Sequence, residues 1–368
     1  MTQPREHWEA CVAEGGAAAL EALAALEAAA RRLHPPALPS LREALRAPAE
    51  RLSAAEAALR AAVPPAGLEA FHARLLEGVE HASVAACIFV EEPPPSEAVP
   101  RLLASLRRAC RAQEALYPLR RVLPPLGRFF VEPALWPGLD ALDPESPPGS
   151  SVGMHRASGG PDERGGFVLY VPERYTPERQ WPLVVALHGG WGRGDDFLWT
   201  WLREARSRGC LLLAPTSRGS TWSLHPPDVD APALASMLTF VRERWSVDPG
   251  RMLLTGLSDG ATYTLLWGLS EASPFTHLAP LCGVLHPDNV GRGNLARARG
   301  RRIWLGHGAR DWLFPVELAR LARDTLLQAG AVLVYREIAD LAHAYPREEN
   351  ARILEWLDPG LALPAAPE

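Results

Sequence analysis

No lysine occurs anywhere in this sequence of 368 residues, so all 38 basic residues are arginines. Arginine stays protonated and neither forms a Schiff base nor acts as a general base. Ser-Lys dyads, lysine-dependent aldolases, pyridoxal enzymes and Walker-type ATP sites are excluded together. Cysteine is scarce as well: Cys11, Cys87, Cys110, Cys210 and Cys282 are odd in number, widely spaced and lack a Cys-x-x-Cys pair. That usage argues against a disulfide scaffold or a zinc site and leads us to expect a reduced, cytoplasmic setting. No apolar run reaches bilayer-spanning length. The opening MTQPREHWEACVAEGG has no apolar stretch behind a basic start, so no secretory leader is expected. A net charge of −5 provides no basic footprint, and nucleic acid is not an expected partner.

What is present suits a globular protein: 47% hydrophobic and 22% charged residues, in a chain long enough for one large and one smaller domain. Residues 1–117 read as alanine- and leucine-rich helices separated by prolines, an all-helical N-terminal domain. EGGAAALEALAALEAAARRLH is stopped by HPPALP, and Pro48 is expected to interrupt the next helix. Residues 118–150 are proline-rich and read as a linker, with Phe129, Phe130, Val131 and Trp136 as apolar exceptions. Residues 151–368 change to short apolar runs alternating with helical stretches. Strands are expected at FVLYVP, PLVVALHG, CLLLAPT, RMLLTG, HLAPLCGVL, RRIWLGHG and AVLVYREI. Helices are expected near 195–208, 230–245, 258–271, 315–329 and 346–357. Such alternation predicts an α/β fold with a mostly parallel central sheet. Sites in these sheets form at the carboxyl ends of the strands.

Four strand ends carry candidate chemistry. PLVVAL is followed by His188-Gly189-Gly190-Trp191, whose glycines permit close backbone approach and free amides. His188 itself reads as a brace for this loop. RMLLT is followed by Gly256-Leu257-Ser258-Asp259-Gly260, the Gly-x-Ser-x-Gly of a nucleophile elbow. RRIWLGHGAR is followed by Asp311, suited to orient an imidazole, and AVLVYREIADL by His343. Each alone has an ordinary structural explanation; Ser, Asp and His in that chain order, each after its own strand, point to a triad. His286 and His307 also follow strands but break the order. Cys282 is surrounded by no elbow glycines.

On PLVVALHGGWGRGDDF, RMLLTGLSDGA, LGHGARDWLFPVELA and LAHAYP, the region 165–358 resembles the α/β-hydrolase superfamily. It looks like the phospholipase/carboxylesterase kind, and is similar also to the esterase/polyhydroxyalkanoate-depolymerase and dienelactone hydrolase groups. Serine stands where dienelactone hydrolases carry cysteine, and Asp259 is acidic where relatives often carry a neutral residue. The resemblance implies an α/β-hydrolase fold for 151–368, with Ser258, Asp311 and His343 catalytic. It also implies an oxyanion hole from the amides of Asp259 and of Gly190 or Trp191. The implied reaction is carboxylic ester hydrolysis through an acyl-enzyme, without metal or cofactor, on a small-molecule or lipid-like ester. Trp191, Trp222, His225 and Trp312 are expected to contact substrate, with Trp199, Trp201, Arg193 and Arg218 nearby. The helical half, or the aromatic 129–136 stretch, is a candidate cover for the site. A prolyl-oligopeptidase-type peptidase and a non-catalytic binding protein on the same fold remain as alternatives.

Overall fold

The computed structural model describes residues 2–145, 150–157 and 163–364. The chain divides into two compact units, Met1–Leu139 and Asp140–Glu368.

The first unit is helical, as its alanine and leucine content favours. It comprises α1 (Thr2–Arg31), α2 (Leu38–Ala61), α3 (Glu69–Val90), α4 (Ala98–Leu116) and α5 (Pro124–Phe129). α1 packs on α2 and α3, and α3 on α4. Small residues such as Ala82, Ala85, Ala86 and Ala112 are fully buried there, which lets helices approach closely. Two buried polar links tie the bundle: Trp8 Nε1 donates to His72 Nδ1 at 3.0 Å, and Ser105 Oγ to the Ala85 carbonyl at 2.7 Å. Pro48 does not break α2, contrary to the sequence expectation. Leu41, Leu45, Leu52 and Leu59 are buried along the helix on both sides of it, and that packing outweighs the roughly 3 kcal/mol that an interior proline costs. The stretch expected as linker contains 3₁₀ helices at Tyr117–Arg121 and Pro133–Leu142 flanking α5, and Leu126, Phe130 and Val131 are buried.

The second unit is built on one eight-stranded sheet: β1 (Gly153–Ala157), β2 (Phe167–Val171), β3 (Trp181–Leu187), β4 (Leu211–Pro215), β5 (Val247–Leu257), β6 (His277–Leu281), β7 (Arg302–Gly308) and β8 (Val332–Ile338). Their spatial order is β1-β2-β4-β3-β5-β6-β7-β8. β2 runs antiparallel to both of its neighbours, and the remaining pairings are parallel. The sheet is therefore mixed, with a parallel run from β4 through β8. Every residue of β2, β3, β4 and β6 is buried, which explains their continuous apolar runs. β1, with the sequence GMHRA, was not foreseen: it is short, half exposed and lies at the sheet's edge, so it needs no apolar run. The helices are α6 (Gly194–Arg208), α7 (Asp230–Arg244), α8 (Asp259–Gly268), α9 (Asp288–Gly291), α10 (Val316–Gln328) and α11 (Glu349–Leu357). Because β3 to β8 are parallel, the loops that follow them emerge at one edge of the sheet. Among the described residues no helix is long and apolar enough to cross a membrane.

Candidate active site

Ser258 sits in the tight turn between β5 and α8 with φ 57° and ψ −119°, a conformation that costs a non-glycine residue energy. The flanking glycines make this turn sterically possible. A Cβ on Gly256 would lie 2.5 Å from the Gly260 carbonyl carbon, and one on Gly260 would lie 2.4 Å from the Leu187 carbonyl oxygen. α8 thus starts pressed against the end of β3. The Ser258 amide donates to the Leu281 carbonyl at 3.1 Å, tying the turn to the end of β6.

Two further strand ends converge on this serine. His343, in the loop after β8, places Nε2 3.0 Å from Ser258 Oγ and Nδ1 2.8 Å from Asp311 Oδ2. Asp311 follows β7, and its side chain is wholly buried. Its second oxygen, Oδ1, accepts the amides of Leu313 at 2.9 Å and Phe314 at 2.8 Å. Burial alone would raise the Asp311 pKa; hydrogen bonds from His343, Phe314 and Leu313, with the attraction of His343, hold it below the ordinary aspartate range. The carboxylate is therefore ionised near neutrality, and the Phe314 ring meets the His343 ring edge-on at 5.3 Å.

The loop after β3 is held from several sides. His188 is buried; its Nδ1 lies 2.7 Å from the Gly189 carbonyl, and its Nε2 accepts the Ser217 amide at 3.1 Å. Those partners require a neutral ring protonated on Nδ1, and burial pushes its pKa down to about 4. His188 is thus a brace between two loops. The Trp191 amide, expected as an oxyanion donor, instead donates to the Ser220 carbonyl at 2.7 Å. Trp191 has a positive φ of 55°, and its N–H is committed to the loop after β4. Among the described residues the amides of Gly190 and Asp259 have no acceptor, that of Asp259 because it opens α8. The Asp259 carboxylate accepts from Thr221 Oγ1 at 2.6 Å.

The expected substrate contacts separate. Trp191 is 66% and Trp312 52% exposed, on the loops after β3 and β7. Trp222 is 2% exposed, stacks on Tyr263 and donates Nε1 to the His188 carbonyl at 2.7 Å. It is a core residue, as are Trp199 and Trp201. His225 is exposed, its ring 5.3 Å from that of His286. Cys282 lies just past β6 with φ 53°, buried, its thiol donating to the Ala344 carbonyl at 3.4 Å. Among the described residues no three His, Cys, Asp or Glu side chains group as metal ligands would. Thr221, Ser217 and Phe314 escaped the sequence reading; only their position within a few residues of a strand end marks them.

No family model and no curated protein matches the chain. Solved structures do. A thermostable esterase is 25% identical over 55% of this chain and 61% of its own length, with a TM-score of 0.47. The Staphylococcus aureus fluorophosphonate-binding serine hydrolase FphF is 13% identical over 56% of this chain and 98% of its own, with a TM-score of 0.46. A phospholipase/carboxylesterase from Dyadobacter fermentans is 17% identical over 52% and 95%, with a TM-score of 0.42. Solved structures that this chain is similar to include esterases, a phospholipase/carboxylesterase and a serine hydrolase.

Proposed function

We propose that the chain is a serine hydrolase that cleaves carboxylic esters, with Ser258 as nucleophile, His343 as general base and acid, and Asp311 as the group orienting His343. The observation that carries this reading is the unbroken relay from Ser258 Oγ to His343 to Asp311, at 3.0 and 2.8 Å. His343 Nε2 takes the Ser258 proton as Oγ attacks the ester carbonyl, while Asp311 holds the imidazole with its proton on Nδ1. The tetrahedral oxyanion is received by the amides of Gly190 and Asp259, the latter at a helix N-terminus where negative charge is favoured. His343 then returns the proton to the departing alcohol. Water, activated by the same imidazole, releases the acid from Ser258.

Trp191 and Trp312 present exposed apolar surface on two of the loops that carry this machinery, which supports an ester with an aryl or extended acyl group. The test is labelling by a fluorophosphonate probe, wild type beside Ser258→Ala, together with p-nitrophenyl esters and aminoacyl anilides. The expected result is labelling of wild type alone and ester cleavage exceeding anilide cleavage. An unlabelled, inactive wild type overturns the proposal, and dominant anilide cleavage replaces it with a peptidase.

A further inference from the structure

His307 has no part in the chemistry proposed above, yet it is buried directly behind the acid. It lies within β7, its side chain is fully buried, and its Nε2 is 2.8 Å from the Phe314 carbonyl. A carbonyl only accepts, so Nε2 carries a proton and donates it. Among the described residues no partner reaches its buried Nδ1, an omission that costs stability. A phenylalanine would fill similar space at no such cost. What His307 has that phenylalanine lacks is the donated Nε2–H.

That proton is spent on the turn that carries the acid. Residues 311–314 form a tight loop in which the amides of Leu313 and Phe314 point at Asp311 Oδ1. His307 Nε2 grips the far end of the loop and stands 3.5 Å from Asp311 Oδ2, the oxygen that faces His343. The Phe314 ring in turn packs edge-on against His343. We propose that His307 is a positioning residue whose Nε2–H anchors the Phe314 carbonyl, fixing both the Asp311 carboxylate and the Phe314 ring against His343. The inference rests on the ester-hydrolysis reading.

The test compares the full-length wild type with His307→Gln, whose amide N–H reaches toward the same carbonyl, and His307→Phe, which has no donor. His307→Phe is expected to lose about 10- to 100-fold in kcat, because a base misplaced by a fraction of an ångström no longer aligns, while KM moves less than about two-fold. It is also expected to lose the far-downfield proton resonance of the His343 Nδ1–H···Asp311 bond. His307→Gln is expected to restore kcat to within about five-fold of wild type and to retain the resonance. Should His307→Phe fail to fold, His307→Leu, which also has no donor, takes its place with the same expectation. Wild-type kcat and resonance in the donor-less variant overturn the proposal, as does a loss that Gln does not restore. A wild type that is neither labelled nor active overturns the hydrolase reading and this inference with it. An active wild type beside unaffected variants overturns the positioning role alone.

Discussion

Ser258 Oγ and Asp311 Oδ2 lie on opposite sides of one imidazole, so the first consequences belong to single side chains. Asp311→Asn keeps the shape but presents a donor to Nδ1 and favours the wrong tautomer; kcat is expected to fall about 10⁴-fold with KM nearly unchanged, as steady-state kinetics on a p-nitrophenyl ester would read. Asp259 sets a carboxylate next to the proposed oxyanion site. Asp259→Asn is expected to improve kcat/KM for anionic esters relative to neutral ones by roughly five-fold, about 1 kcal/mol at a partly solvated position. An unchanged ratio would assign Asp259 to bracing Thr221 alone. His188 carries a pH dependence. Its folded pKa of about 4 lies below the ordinary histidine value near 6.5, so the unfolded chain takes up the proton first. The stability linked to its neutral form is complete above pH 6.5 and is lost progressively toward pH 4. His277, also pushed down to about 4 by burial with help from Arg302, acts in the same direction. Thermal melts between pH 7 and 4 are expected to show a steady fall in Tm, shallower in His188→Gln.

At the scale of elements, two packing details lead to opposite expectations. α8 abuts β3 so closely that a methyl group on Gly260 would enter the Leu187 carbonyl. Gly260→Ala is expected to yield protein that misfolds or melts far below wild type, because backbone cannot yield to a 2.4 Å contact. In α2 the opposite holds: Pro48 denies one hydrogen bond to a helix that packing maintains. Pro48→Ala is expected to stabilise the helical unit by about 1–3 kcal/mol, measured as a higher denaturant midpoint at constant m-value. A neutral or destabilising result would show that Pro48 makes contacts of its own.

At the scale of the molecule, the residues proposed to act on substrate, and the strands that present them, all fall within Asp140–Glu368. That unit holds its own sheet core, including Trp181, Leu183, Leu254, Leu278 and Ile303. A fragment comprising 140–368 is expected to fold and to be labelled at Ser258; a folded but unlabelled fragment would assign the helical unit a part in the reaction.

The sequence by itself determined strands β2 to β8, the glycine-flanked turn at Ser258 and the places of Asp311 and His343 after later strands, because these rest on local signals. Apolar runs report burial, glycines report close backbone approach, and a loop after a strand in a parallel sheet has only one edge at which to emerge. The tertiary structure alone decided everything that depends on who sits next to whom across the chain. It committed the Trp191 amide to Ser220, since the acceptor lies in the loop after another strand, a neighbour that composition cannot supply. It buried Trp222 against Tyr263 and left Trp312 exposed, although both tryptophans follow strands. It carried α2 through Pro48, because burial on both sides of the proline exceeds the cost of one missing hydrogen bond. It also set His307 behind Asp311, a contact made when the loop folds back on its own strand.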